Sequence, residues 1–430
     1  MKYDLIPNKL FVKNRAKFVA KMKPKSIAFF NSNDIYPVSA DSTLPFEQHR
    51  DIFYLSGIDQ EESVLFLFPD AKKPEFREIA FVRETNEHIA IWEGEKLTKE
   101  AAYRTSGIKS VFWLTELESV LAEVMKECDT VYINTNEHYR AKVETETRED
   151  RFTKMIKENF SKHKIEKSNP ILQSIRSVKE PEELELIQTA CNITEKGFRR
   201  VLDFVKPGVW EYEIEAELIH EFVRNRSKKF AYSPIVASGN NANVLHYVEN
   251  NKECKSGDLI LMDVAAEYAN YSSDLTRTIP VSGRFTDRQR AVYDAVNRVK
   301  NEATNMLIPG VIIGDYHVEV GKIMTSELLG LGLLDKADVQ NQDEEKPAYK
   351  KYFMHGTSHH MGLDTHDYGV LTDSLKPNMV LTVEPGIYIP DEGFGIRLED
   401  DVVVQETGAP FNLMGNIPIE AAEIEELMNK

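Results

Sequence analysis

Cysteine is scarce in this chain: Cys128, Cys191 and Cys254 are the only three in 430 residues. They are odd in number and far apart. That excludes a disulfide framework and a zinc knuckle, and it fits a reducing cytoplasm, where the protein is expected. Long apolar runs are missing too. The longest clear one, Val64-Leu65-Phe66-Leu67-Phe68, falls far short of the ~20 residues a membrane helix needs, so no membrane partner is expected. No apolar stretch precedes Lys9, Lys13 and Arg15, so a secretory leader is not expected either. Basic excess is absent: 53 Lys and Arg stand against 70 Asp and Glu, a formal net charge of −17. Without a basic face the chain is a poor candidate for nucleic acid, and the acidity reads as solubility. There is no short-period repeat and no low-complexity tract.

What remains is ample material for a core. Apolar residues make up 42%, aromatics 10% and charged residues 29%, a globular profile long enough for about two or three domains. Residues 1–170 alternate strands and helices, which suggests an α/β layer. Ser63 to Phe68 reads as a buried strand, Glu78 to Val82 as its partner, Leu114 to Met125 as a helix and Thr130 to Ile133 as another strand. Glu144 to Asp150 reads as a solvated loop or helix start. A boundary is expected near Ser168-Asn169-Pro170. Beyond it, Pro181 opens a helix with Glu180, Glu182 and Glu183 at its positive end, running to Phe204 before Lys206-Pro207-Gly208. A second helix covers Glu211 to Arg224. Short strands follow, and helices resume at Asp287–Leu307 and Tyr316–Leu329.

Six of the eleven histidines lie between His246 and His366, interleaved with carboxylates. An apolar strand delivers Asp263 at its end, and a turn through Asn270 returns the chain to Asp274. Two unpaired carboxylates in an apolar site repel and are costly to bury, and a divalent cation between them removes that cost. His355, His359, His360 and His366 fall within twelve residues. Imidazole suits zinc, iron, cobalt or manganese, but not all four can be ligands, because neighbours on extended chain point opposite ways. Glu384 ends the apolar run Val380-Leu381-Thr382-Val383, and Pro385-Gly386 then forces a turn. Arg397 and Glu399 share one face of a further strand by the period-two rule. One imidazole and four carboxylates at strand ends form a hard, oxygen-rich set. Such a set favours two metals about 3.5–4 Å apart in metal-assisted hydrolysis, not a structural zinc.

The order Asp263, Asp274, His359, Glu384, Glu399 resembles the dimetal site of the pita-bread metallopeptidases, the family of aminopeptidase P, prolidase and methionine aminopeptidase. Within it the resemblance is to aminopeptidase P, and it spans nearly the whole chain. Phe46-Glu47-Gln48-His49-Arg50-Asp51-Ile52-Phe53-Tyr54-Leu55-Ser56-Gly57 resembles the start of that N-terminal domain. Ile91-Trp92-Glu93-Gly94 resembles its tryptophan-containing strand end, where Trp92 reaches either a neighbouring subunit's site or a domain interface.

The resemblance implies an α+β pita-bread catalytic domain over residues 171–430, preceded by an α/β N-terminal domain over 1–170. It implies two divalent ions, manganese first, with zinc or cobalt as alternatives. Asp263 would hold one metal in bidentate fashion, Asp274 and Glu399 would bridge both, and His359 and Glu384 would complete the other. A metal-bridged water would be the nucleophile, with Glu384 as general base. His246 and His366 match the family's outer histidines, which contact substrate and stabilise the tetrahedral intermediate or shuttle protons. His355, Tyr388 and Arg397 match residues lining the site that receives proline, and Tyr232 is a further candidate there. The implied activity is removal of the first residue from peptides with proline in second place. Proline lacks the N–H that general aminopeptidases engage, and its ring restricts the residue before it. Prolidase, which takes dipeptides only, is the alternative.

A creatinase-like hydrolase or a non-catalytic binding module would have lost metal ligands, and all five positions are occupied. Methionine aminopeptidase usually lacks so large an N-terminal domain. A homo-oligomer, dimer or tetramer, is expected by family analogy. His360 stands where the family commonly has an aromatic or another large residue, and reads as a neighbour of the site and not a ligand. His220 and His317 read as structural residues on helices, and Gly330 to Lys351, with Asp343-Glu344-Glu345, reads as a surface loop.

Overall fold

The computed structural model describes residues 3–343, 345–369 and 372–430. Its contacts divide the chain into two units, one of Leu5–Arg176, the other of Ser177–Lys430 with the first few residues.

The smaller unit is built on a six-stranded sheet, ordered Ser110–Trp113, Glu78–Val82, Val64–Leu67, Ser26–Asn31, Thr130–Ile133, Lys164–Lys167. Val64–Leu67 runs antiparallel to both neighbours, and the other pairings are parallel. Ser26–Asn31 and Val64–Leu67 are buried at every position, which is why they read as unbroken apolar runs and not as alternation. Phe29, Phe66 and Phe81 pack edge to face along this core, at 4.5 and 4.8 Å between centroids. The expected strands and the helix after Leu114 are present. The helix begins as a 3₁₀ turn, Leu114–Glu116, and continues as Leu117–Val124.

One expectation for this unit fails. Ile91-Trp92-Glu93 is not a strand end: Glu87–Glu93 is helical, because the Asn86 side chain accepts from the Ile89 N–H and caps it. Trp92 on that helix is 75% exposed.

In the larger unit, Pro181–Phe204 is one long helix, with Pro181 in its first turn and the Glu183 carboxylate accepting the Glu180 N–H at 2.9 Å. It packs on Glu211–Arg224. Gly197 permits the approach, since a Cβ there would lie 2.5 Å from the Phe222 ring. Antiparallel strands form the sheets: Thr276–Pro280 with Leu259–Asp263 and Ile235–Ser238, and Val380–Val383 with Asp400–Val403 and Phe411–Asn412. Helices Asp287–Asn305 and Ile313–Gly330 pack on each other. The stretch expected as loop after Gly330 carries a short helix, Lys336–Gln340, and a 3₁₀ turn, Ala348–Lys351. Glu344 of its acidic run lies outside the described residues. Among the described residues no helix is long and apolar enough to cross a membrane.

Candidate active site

Two long hairpins build the site, and each is interrupted where its carboxylates sit. In the first, Leu259–Asp263 pairs with Thr276–Pro280 and Asp263 stands opposite Thr276. Its tip, Glu267–Tyr268 with Tyr271–Ser272, keeps the same register. Ala269 (φ 52°) and Asn270 (φ 68°) close it, the left-handed pair that matches the strand twist. Asp274 falls in the gap between tip and stem. Freed from the ladder, its N–H donates to Asp401 Oδ2 at 3.0 Å.

The second hairpin pairs Val383 with Asp400 and Gly386 with Arg397. Carrying that register through the gap sets Glu384 opposite Glu399. This corrects two expectations. Pro385-Gly386 makes no reversal, because the chain runs on as strand Gly386–Ile389 and only changes partner strand. Arg397 ends one strand and Glu399 falls in the break before the next, so the two do not share a strand. They meet instead at Thr276, whose Oγ1 donates to Glu399 Oε2 at 2.6 Å and accepts from Arg397 Nε at 3.0 Å.

The histidine segment lies along the strand Val380–Val383. Thr382 N–H donates to His359 O at 3.0 Å, and His359 N–H donates to Thr382 Oγ1 at 3.2 Å. The His359 Nδ1 is 3.0 Å from His360 O. A carbonyl only accepts, so Nδ1 carries the proton and Nε2 turns inward. That Nε2 is 3.5 Å from Asp274 Oδ2 and 3.6 Å from Glu384 Oε1. Asp274, His359 and Glu399 each offer a ligand atom within 4.8 Å of the others. Asp263 is held differently: Arg397 donates to its Oδ2 at 2.6 Å, while its buried Oδ1 has no hydrogen-bond partner.

Burial dominates the electrostatics. It raises the carboxyl groups of Asp263 and Glu399, the latter well above the usual range, and it pushes Glu384 up to about 7. The neighbouring carboxylates add repulsion to each. Burial opposes charge on His359 as well, but the Asp274 hydrogen bond and the charges of Glu384 and Asp274 outweigh it, and its pKa rises. Four carboxylates with an orphaned oxygen among them call for positive charge beyond Arg397 and one imidazole. This donor set of hard oxygens and one nitrogen fits divalent cations.

Beside this cluster runs a directed hydrogen-bond chain. Arg397 donates to Tyr388 OH at 2.9 Å, and Tyr388 OH is 2.7 Å from His355 Nε2. His355 Nδ1 faces Gly356 O at 2.7 Å and must be its protonated nitrogen. Burial and the Arg397 charge push the His355 pKa down to about 3. The ring is therefore neutral, and Tyr388 donates to it. The Tyr232 hydroxyl accepts the Leu275 N–H at 3.5 Å, and burial, with the negative charges of Asp263, Asp274 and Glu399 beside it, holds its pKa well above the usual range. The His366 ring packs edge to face on His359 at 4.5 Å. His246 is exposed, near enough for its charge to act on His355. Sequence reasoning assigned nothing to Thr276 or Asp401. Thr276, two residues after Asp274 on the same face, carried a usable signal. Asp401 was hidden in the run Glu399-Asp400-Asp401.

Two family descriptions match the chain: Metallopeptidase family M24 over residues 185–406, and Aminopeptidase P, N-terminal domain, over residues 11–132. The Xaa-Pro aminopeptidase of Escherichia coli is 36% identical over 97% of both chains. That of Haemophilus influenzae is 34% identical over 99% of this chain and 98% of its own. Among solved structures, a variant of Escherichia coli aminopeptidase P in complex with substrate superposes with a TM-score of 0.88, at 34% identity over 99% of each chain. The low-pH form of the same enzyme gives 0.89 at the same identity and coverage. The expected architecture, an α/β N-terminal domain before an α+β pita-bread domain, is thereby established. The chain belongs to metallopeptidase family M24, in its aminopeptidase P branch.

Proposed function

We propose that the protein is a metal-dependent Xaa-Pro aminopeptidase, which hydrolyses the bond between an N-terminal residue and a following proline. The observation that carries this reading is the buried convergence of Asp274, His359 and Glu399, flanked by Glu384 and Asp263, in a chain that matches Xaa-Pro aminopeptidases end to end. The prolidase alternative is not favoured by these relatives.

Asp263, Asp274, His359, Glu384 and Glu399 would hold two divalent ions, manganese by preference, with zinc or cobalt as substitutes. Bound there, the ions supply Lewis acidity for the scissile carbonyl and lower the pKa of the attacking water. Glu384, whose Oε1 lies 3.6 Å from His359 Nε2, would take the proton from that water. The neutral His355, with Tyr388 and Arg397, lines the place that receives the proline ring, and Tyr232 borders it. His246 and His366, both exposed at the rim, bind substrate and stabilise the tetrahedral intermediate.

Residues 1–170 are assigned to the N-terminal domain and 171–430 to the catalytic one, a division supported by the separation of contacts after Arg176. The working form is a homo-oligomer in the cytoplasm, supported there by three free, buried thiols.

The test uses matched Xaa-Pro and Xaa-Pro-Pro peptides, chelated protein, and readdition of manganese. Manganese-dependent release of the first residue from the tripeptide supports the proposal. Cleavage of the dipeptide alone would transfer the protein to the prolidases. Failure on both, in folded protein loaded with metal, would end the proline-peptidase reading.

A further inference from the structure

Glu211 opens the helix Glu211–Arg224, fully buried and outside the metal cluster. Its carboxylate accepts five donors. Oε1 takes the Ser238 N–H (2.8 Å), Ser238 Oγ (2.6 Å) and Asn241 Nδ2 (3.0 Å), and Oε2 takes Tyr247 OH (2.8 Å) and the Lys252 N–H (3.0 Å). The Glu211 N–H also donates to Lys252 O at 2.9 Å. One side chain thus fastens both ends and the middle of the segment that carries His246.

His246 lies within a turn closed by the Tyr247 N–H on Val244 O, 3.2 Å. Its two neighbours point into the fold: Tyr247 and Leu245 pack in a cluster with Leu261, Ala242 and Tyr388. A buried carboxylate spends a large desolvation cost unless its donors are fixed. The Glu211 carboxylate therefore favours one arrangement of this loop, with Tyr247 anchored inside and His246 left facing outward.

We infer that Glu211 is the positioning residue that sets the His246 ring for the peptidase reaction, acting through Tyr247 and the loop from Ser238 to Lys252. The inference rests on the role proposed above for His246. Glu211→Gln is nearly isosteric and turns one acceptor oxygen into a donor amide, which repels whichever N–H or O–H group it then faces.

The experiment is a double-mutant cycle on kcat for an Xaa-Pro-Pro peptide, with manganese-loaded full-length protein, together with NMR of the labelled His246 ring in the same protein loaded with diamagnetic zinc. Glu211→Gln is expected to lower kcat roughly 10-fold or more with KM little changed, as misplacement of a reacting group does. It should cost almost nothing further in the His246→Ala background, and it should shift the His246 resonances. Tyr247→Phe, which removes one donor and leaves the carboxylate in place, is expected to do the same to a smaller extent and covers the case of a poorly folding Glu211→Gln. Equal losses in both backgrounds, or unmoved His246 resonances, would overturn the inference. A fully active His246→Ala would instead remove His246 from the reaction, while the ring resonances would still decide whether Glu211 positions it.

Discussion

The Arg397 guanidinium donates to Asp263 Oδ2 at 2.6 Å, and this ion pair ties together the two interrupted hairpins. Asp263 ends the stem of one, and Arg397 ends the outer strand of the other. The same guanidinium reaches Thr276 Oγ1 and Tyr388 OH, so a single planar fork fixes a candidate metal ligand, a support of Glu399 and the partner of His355. Its charge offsets part of the carboxylate repulsion that burial makes severe.

Arg397→Lys is accordingly not a conservative change. An ammonium reaches one of the three acceptors and leaves the others without a donor. The expected result is a loss of roughly 100-fold or more in kcat/KM, about 3 kcal/mol of transition-state stabilisation. Steady-state kinetics with metal content measured alongside checks this. Near-normal kcat/KM would show that the fork is dispensable.

A second prediction concerns the floor of the site. Asp400 is buried between Arg277, 2.6 Å from its Oδ1, and Lys300 at its Oδ2. Burial opposes its charge, but the two cations more than compensate and hold its carboxyl below the usual range. Arg277 in turn donates to Glu399 O at 2.6 Å. Asp400→Asn strands both cations in the interior, and urea unfolding is expected to register a loss of about 3–5 kcal/mol.

The third concerns pH and the N-terminal unit. Glu149 is buried, accepting from the Asn31 N–H and Asn31 Nδ2, both at 2.8 Å. Burial, helped by the Asp51 charge, outweighs these donors and raises its pKa to about 8. A carboxyl raised on folding contributes stability that is complete below its unfolded pKa, near 4.5. That stability is lost as the pH climbs through about 8. The loss is on the order of a few kcal/mol. Chemical denaturation from about pH 5 to pH 9 should show this decline in the native protein and a flatter profile in Glu149→Gln. Parallel profiles would remove Glu149 as the cause.

The metal-ligand candidates were legible in the sequence because of where they stand. Asp263 and Glu384 each close an apolar run, and a carboxylate at such a place is expensive without a counter-charge. The turn at Asn270 and the helix opening at Pro181 were equally plain, since each depends on a few adjacent residues. Glu211 and Asp400 were not legible. Their partners, Tyr247 and Arg277, are 36 and 123 residues away, and no local pattern announces contacts of that range. The gap that sets Glu384 against Glu399 was hidden for a related reason: register appears only when two strands are laid side by side. The helix at Glu87–Glu93 is a different failure: its Asn86 cap is a local feature, but in sequence the segment reads only through the resemblance of Ile91-Trp92-Glu93-Gly94 to a strand end.

The central claim is that one buried cluster binds two divalent ions and, with Glu384 as base, cleaves before proline. The most direct measurement titrates manganese into chelated protein while following both bound metal and release of the first residue from an Xaa-Pro-Pro peptide. The account predicts no release without metal, activity that reaches its plateau at two ions per chain, and a flat trace for Glu384→Ala. Full activity in the metal-free protein, or a Glu384→Ala variant that cleaves as well as the native chain, would contradict it.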